Sequence, residues 1–160
     1  KTSEDAATII ADVQSCLREI ELVPKPFVAA INGLALGGGL EIALACTYRI
    51  VADDPRLKLG LPEVSLGLMP GAGGTQRLPR LIGLAAALPI MIENQQITAV
   101  KAKEIGLIDE IVPLSHGRGL FESVASGNKI LRCFPRGGHN DLIGHPGYFG
   151  SLNSFYSKLL

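Results

Sequence analysis

The sequence predicts an α/β fold, and three patterns carry that reading. Short apolar runs at 27–31, 48–52, 57–61, 108–112 and 129–134 have strand length and little polar alternation, as strands buried on both faces do. Between and around them lie segments whose apolar residues recur three and four apart, the spacing of an amphipathic helix. Glycine and proline clusters punctuate the joins.

Taken in order, residues 1–23 read as a helix, with Ser3 as its cap and Glu4 and Asp5 in its first turn. Ile9, Ile10, Val13, Cys16, Leu17 and Ile20 form its apolar face. The strand at 27–31 runs into Asn32-Gly33, and Gly37-Gly38-Gly39 then opens a helix through Leu40, Ile42, Ala43, Leu44 and Ala45. Strands follow at 48–52 and 57–61, and Pro62 makes Glu63 the start of a loop or a short helix. Helices are expected at 75–81, 84–92 and 99–105, with Pro79 and Pro89 interrupting the first two. The strand at 108–112 closes this series. A further strand at 129–134, a Pro- and Gly-rich loop over 134–147 and a helix carrying Phe149, Leu152, Phe155, Tyr156 and Leu159 complete the chain.

Two carboxylates beside glycine-rich backbone mark the chemistry. Three glycines before an apolar helix leave backbone N–H groups unobstructed and aimed at whatever negative charge sits at the helix start. Glu41 is the lone charge among neighbours that read as buried, so it either has a chemical role or serves the positive end of its helix. Glu63 follows a strand at its carboxyl end, where α/β folds place ligands; the alternative is a solvated loop residue.

Composition excludes several classes. Fifteen basic and fifteen acidic residues give zero net charge, which leaves no electrostatic footprint for nucleic acid. No apolar run reaches membrane-spanning length and the amino terminus has no signal pattern, so a cytoplasmic or organelle-matrix location is expected. Cys16, Cys46 and Cys133 stand far apart and read as reduced, mostly buried thiols, and no metal site is expected from them or from His116 and His145. Gly71-Ala72-Gly73-Gly74 lacks the lysine of a phosphate loop. Arg77, Arg80, Lys101 and Lys103 are too dispersed to argue a phosphate cradle and read as solvated surface.

Residues 25–112 carry the words Ile31-Asn32-Gly33, Leu36-Gly37-Gly38-Gly39-Leu40-Glu41, Leu59-Gly60-Leu61-Pro62-Glu63-Val64 and Gly71-Ala72-Gly73-Gly74-Thr75-Gln76-Arg77-Leu78-Pro79-Arg80-Leu81-Ile82-Gly83. In these the chain closely resembles the enoyl-CoA hydratase/isomerase, or crotonase, family, most of all the hydratase region of multifunctional fatty-acid oxidation enzymes. The resemblance implies a crotonase-like ββα core and the addition of water to a trans-2-enoyl-CoA thioester in fatty-acid β-oxidation. By it, Glu41 and Glu63 are the catalytic glutamates, Glu41 on the water and Glu63 on the α-carbon proton. Gly38 offers an N–H to the thioester oxygen in an oxyanion hole, and Gly71 an N–H that helps place the water. It further implies Δ3-Δ2-enoyl-CoA isomerase activity, no cofactor beyond the coenzyme A of the substrate, and a homo-oligomer or membership of a larger multifunctional chain. Such enzymes take their second oxyanion donor from a loop earlier in the chain. Region 1–112 is therefore read as N-terminally incomplete.

The tail, 113–160, resembles something else. Asp109-Glu110-Ile111-Val112-Pro113, His116-Gly117-Arg118 and Gly137-Gly138-His139-Asn140-Asp141 are similar to the carboxyl-terminal strand-loop-helix segment of an α/β-hydrolase. That likeness makes Asp109 and His139 the acid and base of an esterase triad, although no serine here has the nucleophile-elbow setting. Three readings thus compete: a hydratase, a hydrolase fragment, and a non-catalytic fragment that binds acyl-CoA.

Overall fold

The structure of the chain is a computed structural model in which residues 3–113 are described, with side chains from residue 7 onward. The chain divides into two compact units, Lys1–Gly117 and Arg118–Leu160, and every described residue belongs to the first. The strand expected at 129–134, the loop at 134–147 and the last helix lie outside the described residues, as do Cys133, His139 and the side chain of the expected cap, Ser3.

Two short parallel sheets are wound by one repeating path. Strand β1 (Val28–Ile31) pairs with β3 (Tyr48–Ala52) in the register Val28 with Tyr48, and β3 pairs in turn with β5 (Glu110–Val112). The second sheet joins β2 (Ala35–Leu36) to β4 (Leu59–Gly60), Ala35 opposite Leu59. The chain thus passes from one sheet to the other, takes a helical turn, and repeats the course one strand further along. The first helical turn is α2 (Gly38–Ala45) and the second is a 3-10 helix over Pro62–Leu66.

Burial explains why these residues took these places. Leu57, Leu59 and Leu61 are all fully buried, the alternate positions of an extended segment facing one core. Leu40 and Leu44 of α2 meet them there, with Val51, Leu78, Ile90 and Leu107. The strand expected over 57–61 is trimmed to Leu59–Gly60, because β2 is only two residues long and supplies no longer partner. That β2 strand is too short to leave a periodic signal, and the sequence reading missed it.

Helices α3 (Gly74–Ile82), α4 (Leu84–Ile92) and α5 (Ala99–Glu104) follow. Pro79 and Pro89 were expected to interrupt the first two, and they do not. Each lies in its helix's second turn and removes one backbone donor, while buried Leu78 and Ile90 beside them hold both helices against the core. Thr98 caps α5, its hydroxyl accepting from the Lys101 N–H at 3.3 Å.

Helix α1 (Ser3–Leu22) has the expected span, but not the expected burial of its apolar face. Leu17 is buried against Ala45 and Ala72, with Ile20 beside them, whereas Ile9, Ile10 and Val13 are each more than 40% exposed. Leu66, Leu68 and Met69 after the 3-10 helix are exposed as well. The two described cysteines are half-buried rather than buried; desolvation raises the Cys46 thiol's pKa. Among the described residues no helix is long and apolar enough to cross a membrane, and no group of three potential metal ligands comes together.

Candidate active site

The start of α2, the 3-10 helix and the glycine loop before α3 converge on Glu41. This carboxylate is 3% exposed, and the Gly74 N–H donates to its Oε1 at 2.8 Å. That contact needs a glycine at 74: a Cβ there would lie 3.0 Å from both Cγ and Oε1 of Glu41 and 3.2 Å from Leu61 Cδ1. Burial raises the Glu41 pKa above the ordinary carboxylate range. The Gly74 N–H pulls against that, the negative charge of Glu63 reinforces it, and the Ala72 N–H and Arg77 guanidinium oppose it more weakly. Glu41 lies in the first turn of α2, so the positive helix end favours its charge there, but neither that role nor its burial excludes a chemical one.

Glu63 sits in the first turn of the 3-10 helix, half-buried and near enough for its charge to act on Glu41. Its Oε2 is a buried side-chain oxygen with no hydrogen-bond partner among the described residues. A buried carboxylate oxygen left unpartnered is costly, and such orphans mark places where a ligand or water completes the shell. The expected loop or short helix at Glu63 is therefore a 3-10 turn, and its carboxylate is not simply solvated.

Gly38 is the first residue of α2, after Gly37 at φ 57°. The N–H groups of Leu40 and Glu41 both donate to the Gly37 carbonyl, at 2.9 and 3.1 Å. Those of Gly38 and Gly39 have no acceptor among the described residues, and a Cβ at either position would meet nothing within 4 Å. Backbone donors without an acceptor, on positions no side chain crowds, are what an incoming oxyanion requires. Gly71 lies in the loop before α3; its carbonyl accepts from Gln14 Nε2 at 2.6 Å.

Arg77 corrects the sequence reading. Taken there as solvated surface, its side chain is only 16% exposed, with Nε donating to Glu21 Oε1 at 2.6 Å and Nη1 to the Ala72 carbonyl at 2.7 Å. Lys101 and Arg80 are exposed, as expected. A cleft of about 440 Å³ opens beside this arginine, lined by residues that include Gln14, Arg18, Thr75 and Arg80 but neither glutamate of the pair. Gln14 and Glu21 went unremarked in the sequence, and Gly74 was read only as part of its glycine-rich motif. Gln14, Arg18 and Glu21 do share one helix face by spacing, but what that face meets is fixed only by the fold.

Asp109, the acid of the hydrolase reading, is committed elsewhere. Its Oδ2 accepts from the Arg49 backbone N–H at 2.7 Å and lies 3.4 Å from Nη2 of the same residue. Arg49 is itself buried, with Nε on the Leu107 carbonyl and Nη1 on that of Cys46, so this pair ties β3 to the approach to β5. The partner base, His139, lies outside the described residues.

Comparison with known proteins agrees with this geometry. Residues 1–125 match the family model described as enoyl-CoA hydratase/isomerase. Among solved structures, an enoyl-CoA hydratase of Bacillus anthracis is 41% identical at a TM-score of 0.72, covering 78% of this chain and 48% of its own. One from Geobacillus kaustophilus HTA426 is 39% identical at 0.74, covering 78% and 47%, and DspI of Pseudomonas aeruginosa is 36% identical at 0.71, covering 75% and 45%. The chain spans about half the length of the solved relatives it matches.

Proposed function

Because the chain belongs to the enoyl-CoA hydratase/isomerase family, we propose that Glu41 and Glu63 are its catalytic pair, adding water across the double bond of a trans-2-enoyl-CoA thioester. Glu41 removes a proton from water as the oxygen bonds to the β-carbon. Glu63 handles the proton that bonds to the α-carbon, and the proton taken up by Glu41 is passed back to it, so one water is consumed, no group leaves and both carboxylates return to their starting state. Charge passing to the thioester oxygen meets the Gly38 N–H, while the Gly71 N–H helps hold the water. A second oxyanion donor belongs to the part of the relatives' length that this chain does not span. No cofactor takes part beyond the coenzyme A of the substrate.

The observation that carries this reading is the pairing itself. A buried carboxylate with a raised pKa is a stronger base than an exposed one, and it stands beside a second carboxylate whose buried oxygen lacks a partner. Drawing a proton from one carbon and returning it to another is within reach of the same pair, so Δ3-Δ2-enoyl-CoA isomerisation forms part of the proposal, as does a role in β-oxidation. Exposed Ile9, Ile10 and Val13 on α1, and Leu66, Leu68 and Met69 beyond the 3-10 helix, support burial against further copies or the remainder of a longer chain.

The test is loss of the conjugated enoyl-thioester absorbance on mixing the chain with a short trans-2-enoyl-CoA. Turnover that falls by about 10³-fold in Glu41→Gln and in Glu63→Gln is the expected result. A folded chain that binds the thioester without turnover would instead make it an acyl-CoA-binding fragment.

A further inference from the structure

Helix α1 contributes no atom to the glutamate pair, yet it grips the loop that holds Glu41. Gln14 Nε2 donates to the Gly71 carbonyl at 2.6 Å. One peptide further on, Arg77 Nη1 donates to the Ala72 carbonyl at 2.7 Å, and Arg77 Nε is itself held by Glu21 Oε1 at 2.6 Å. Glu21 Oε2 takes Arg18 at 2.9 Å, so the anchor is doubly charged-paired on α1. Leu17, between these polar residues in the sequence, buries against Ala72 itself.

These grips have a directional consequence. Among the described residues no peptide bond is cis, and in a trans planar unit the carbonyl and the following N–H point in opposite directions. Fixing the Gly71 carbonyl on Gln14 therefore fixes the Ala72 N–H away from α1, on the side of Glu41, whose carboxylate it helps to stabilise. Fixing the Ala72 carbonyl on Arg77 sets the plane of the next peptide, which leads into the Gly74 N–H that bonds Glu41 directly. Gly73 has φ 104°, a conformation that leaves this loop no rigidity of its own from a side chain.

We propose that Gln14, Glu21 and Arg77 are positioning residues for the acid/base pair, a strap from α1 and α3 that sets two successive peptide planes and so aims the loop N–H groups at Glu41. This rests on the reading of Glu41 as the base that activates water. The charged groups facing Glu41 are Glu63 on the 3-10 helix and Arg77 on α3. Losing the strap swings loop N–H groups off the carboxylate, so Glu41 binds its proton more tightly and the acid limb of the rate profile moves to higher pH.

The variants are Gln14→Met, which keeps the side-chain length without the donor, and Arg77→Lys, which keeps the charge but lacks the fork that reaches Glu21 and Ala72 together. Two readouts are taken on the whole chain: the pH profile of enoyl-CoA hydration, and the titration of the Glu41 carboxyl carbon by ¹³C NMR on glutamate-labelled protein, assigned with Glu41→Gln. Both variants should move the Glu41 midpoint upward by up to roughly one pH unit, about the worth of one lost N–H bond. Glu21→Gln, which keeps an acceptor for Arg77, should move it less than Glu21→Ala. Folded variants whose Glu41 titration is unmoved would overturn the proposal, even if they melt earlier. A shifted titration in a chain whose wild type does not hydrate would keep the strap and remove the catalytic reading of Glu41.

Discussion

Replacing Gly74 by alanine tests the close approach on which the site depends. The residue has helical backbone, so alanine meets no conformational penalty and by propensity alone would stabilise α3 by about 1 kcal/mol. Against that, the new methyl lies 3.0 Å from Glu41 Cγ and Oε1 and 3.2 Å from Leu61 Cδ1, so both of these buried side chains must shift by a few tenths of an ångström. Overpacking of this kind costs about 1–3 kcal/mol. Displacing Glu41 also stretches its 2.8 Å bond from the Gly74 N–H, a charge-assisted bond worth about 1.5–3 kcal/mol. The balance is a net loss of about 2 kcal/mol or more, which for a chain of this length lowers Tm by roughly 4–8 °C. Gly39→Ala is the paired control, because a Cβ there meets nothing within 4 Å, and its stability should be unchanged or slightly raised. Thermal melts of both at neutral pH check the sign. Equal stability of the two variants would refute the packing argument.

Three further outcomes follow from the same geometry. Glu41 has a folded pKa above its ordinary 4.5, so its stabilising contribution is full below that value and is lost as pH rises through the raised one. Glu41→Gln should therefore gain stability relative to wild type as pH rises above 4.5, read by urea midpoints at a series of pH values; a constant difference would contradict the sign. Arg49→Met should cost about 2–4 kcal/mol, because it strands the carbonyls of Leu107 and Cys46, whereas Asp109→Asn should cost under about 1 kcal/mol, since that carboxylate is 41% exposed. Guanidinium unfolding distinguishes them, and equal midpoints would mean that the buried arginine is not held as described. The Arg56 guanidinium and backbone N–H hold the Asp54 carboxyl at about 2, and Arg56→Ala should move its NMR titration back toward 3.8.

Much of this molecule is legible in its residues because the signals are local. Apolar runs mark β1, β3 and β5, the triple glycine marks the opening of α2, and a single charge in an apolar helix marks Glu41. The hydratase words are dense enough that the family follows from them alone. Where the reading failed, a distant contact had outweighed a local rule: packing of Leu78 and Ile90 carries two helices through prolines, and Glu21 draws Arg77 out of solvent.

The sequence by itself determined the order of elements, the two glutamates and the unobstructed backbone beside them, since each depends on residue type and near neighbours. Only the tertiary structure decided that Gly74 closes on Glu41 from 33 residues away, that Glu63 is left with a buried oxygen unpartnered, and that Gln14 of α1 fixes a carbonyl 57 residues downstream. Such contacts join segments whose separation along the chain carries no periodic trace, and their energies depend on desolvation, which exists only once the chain has closed around them.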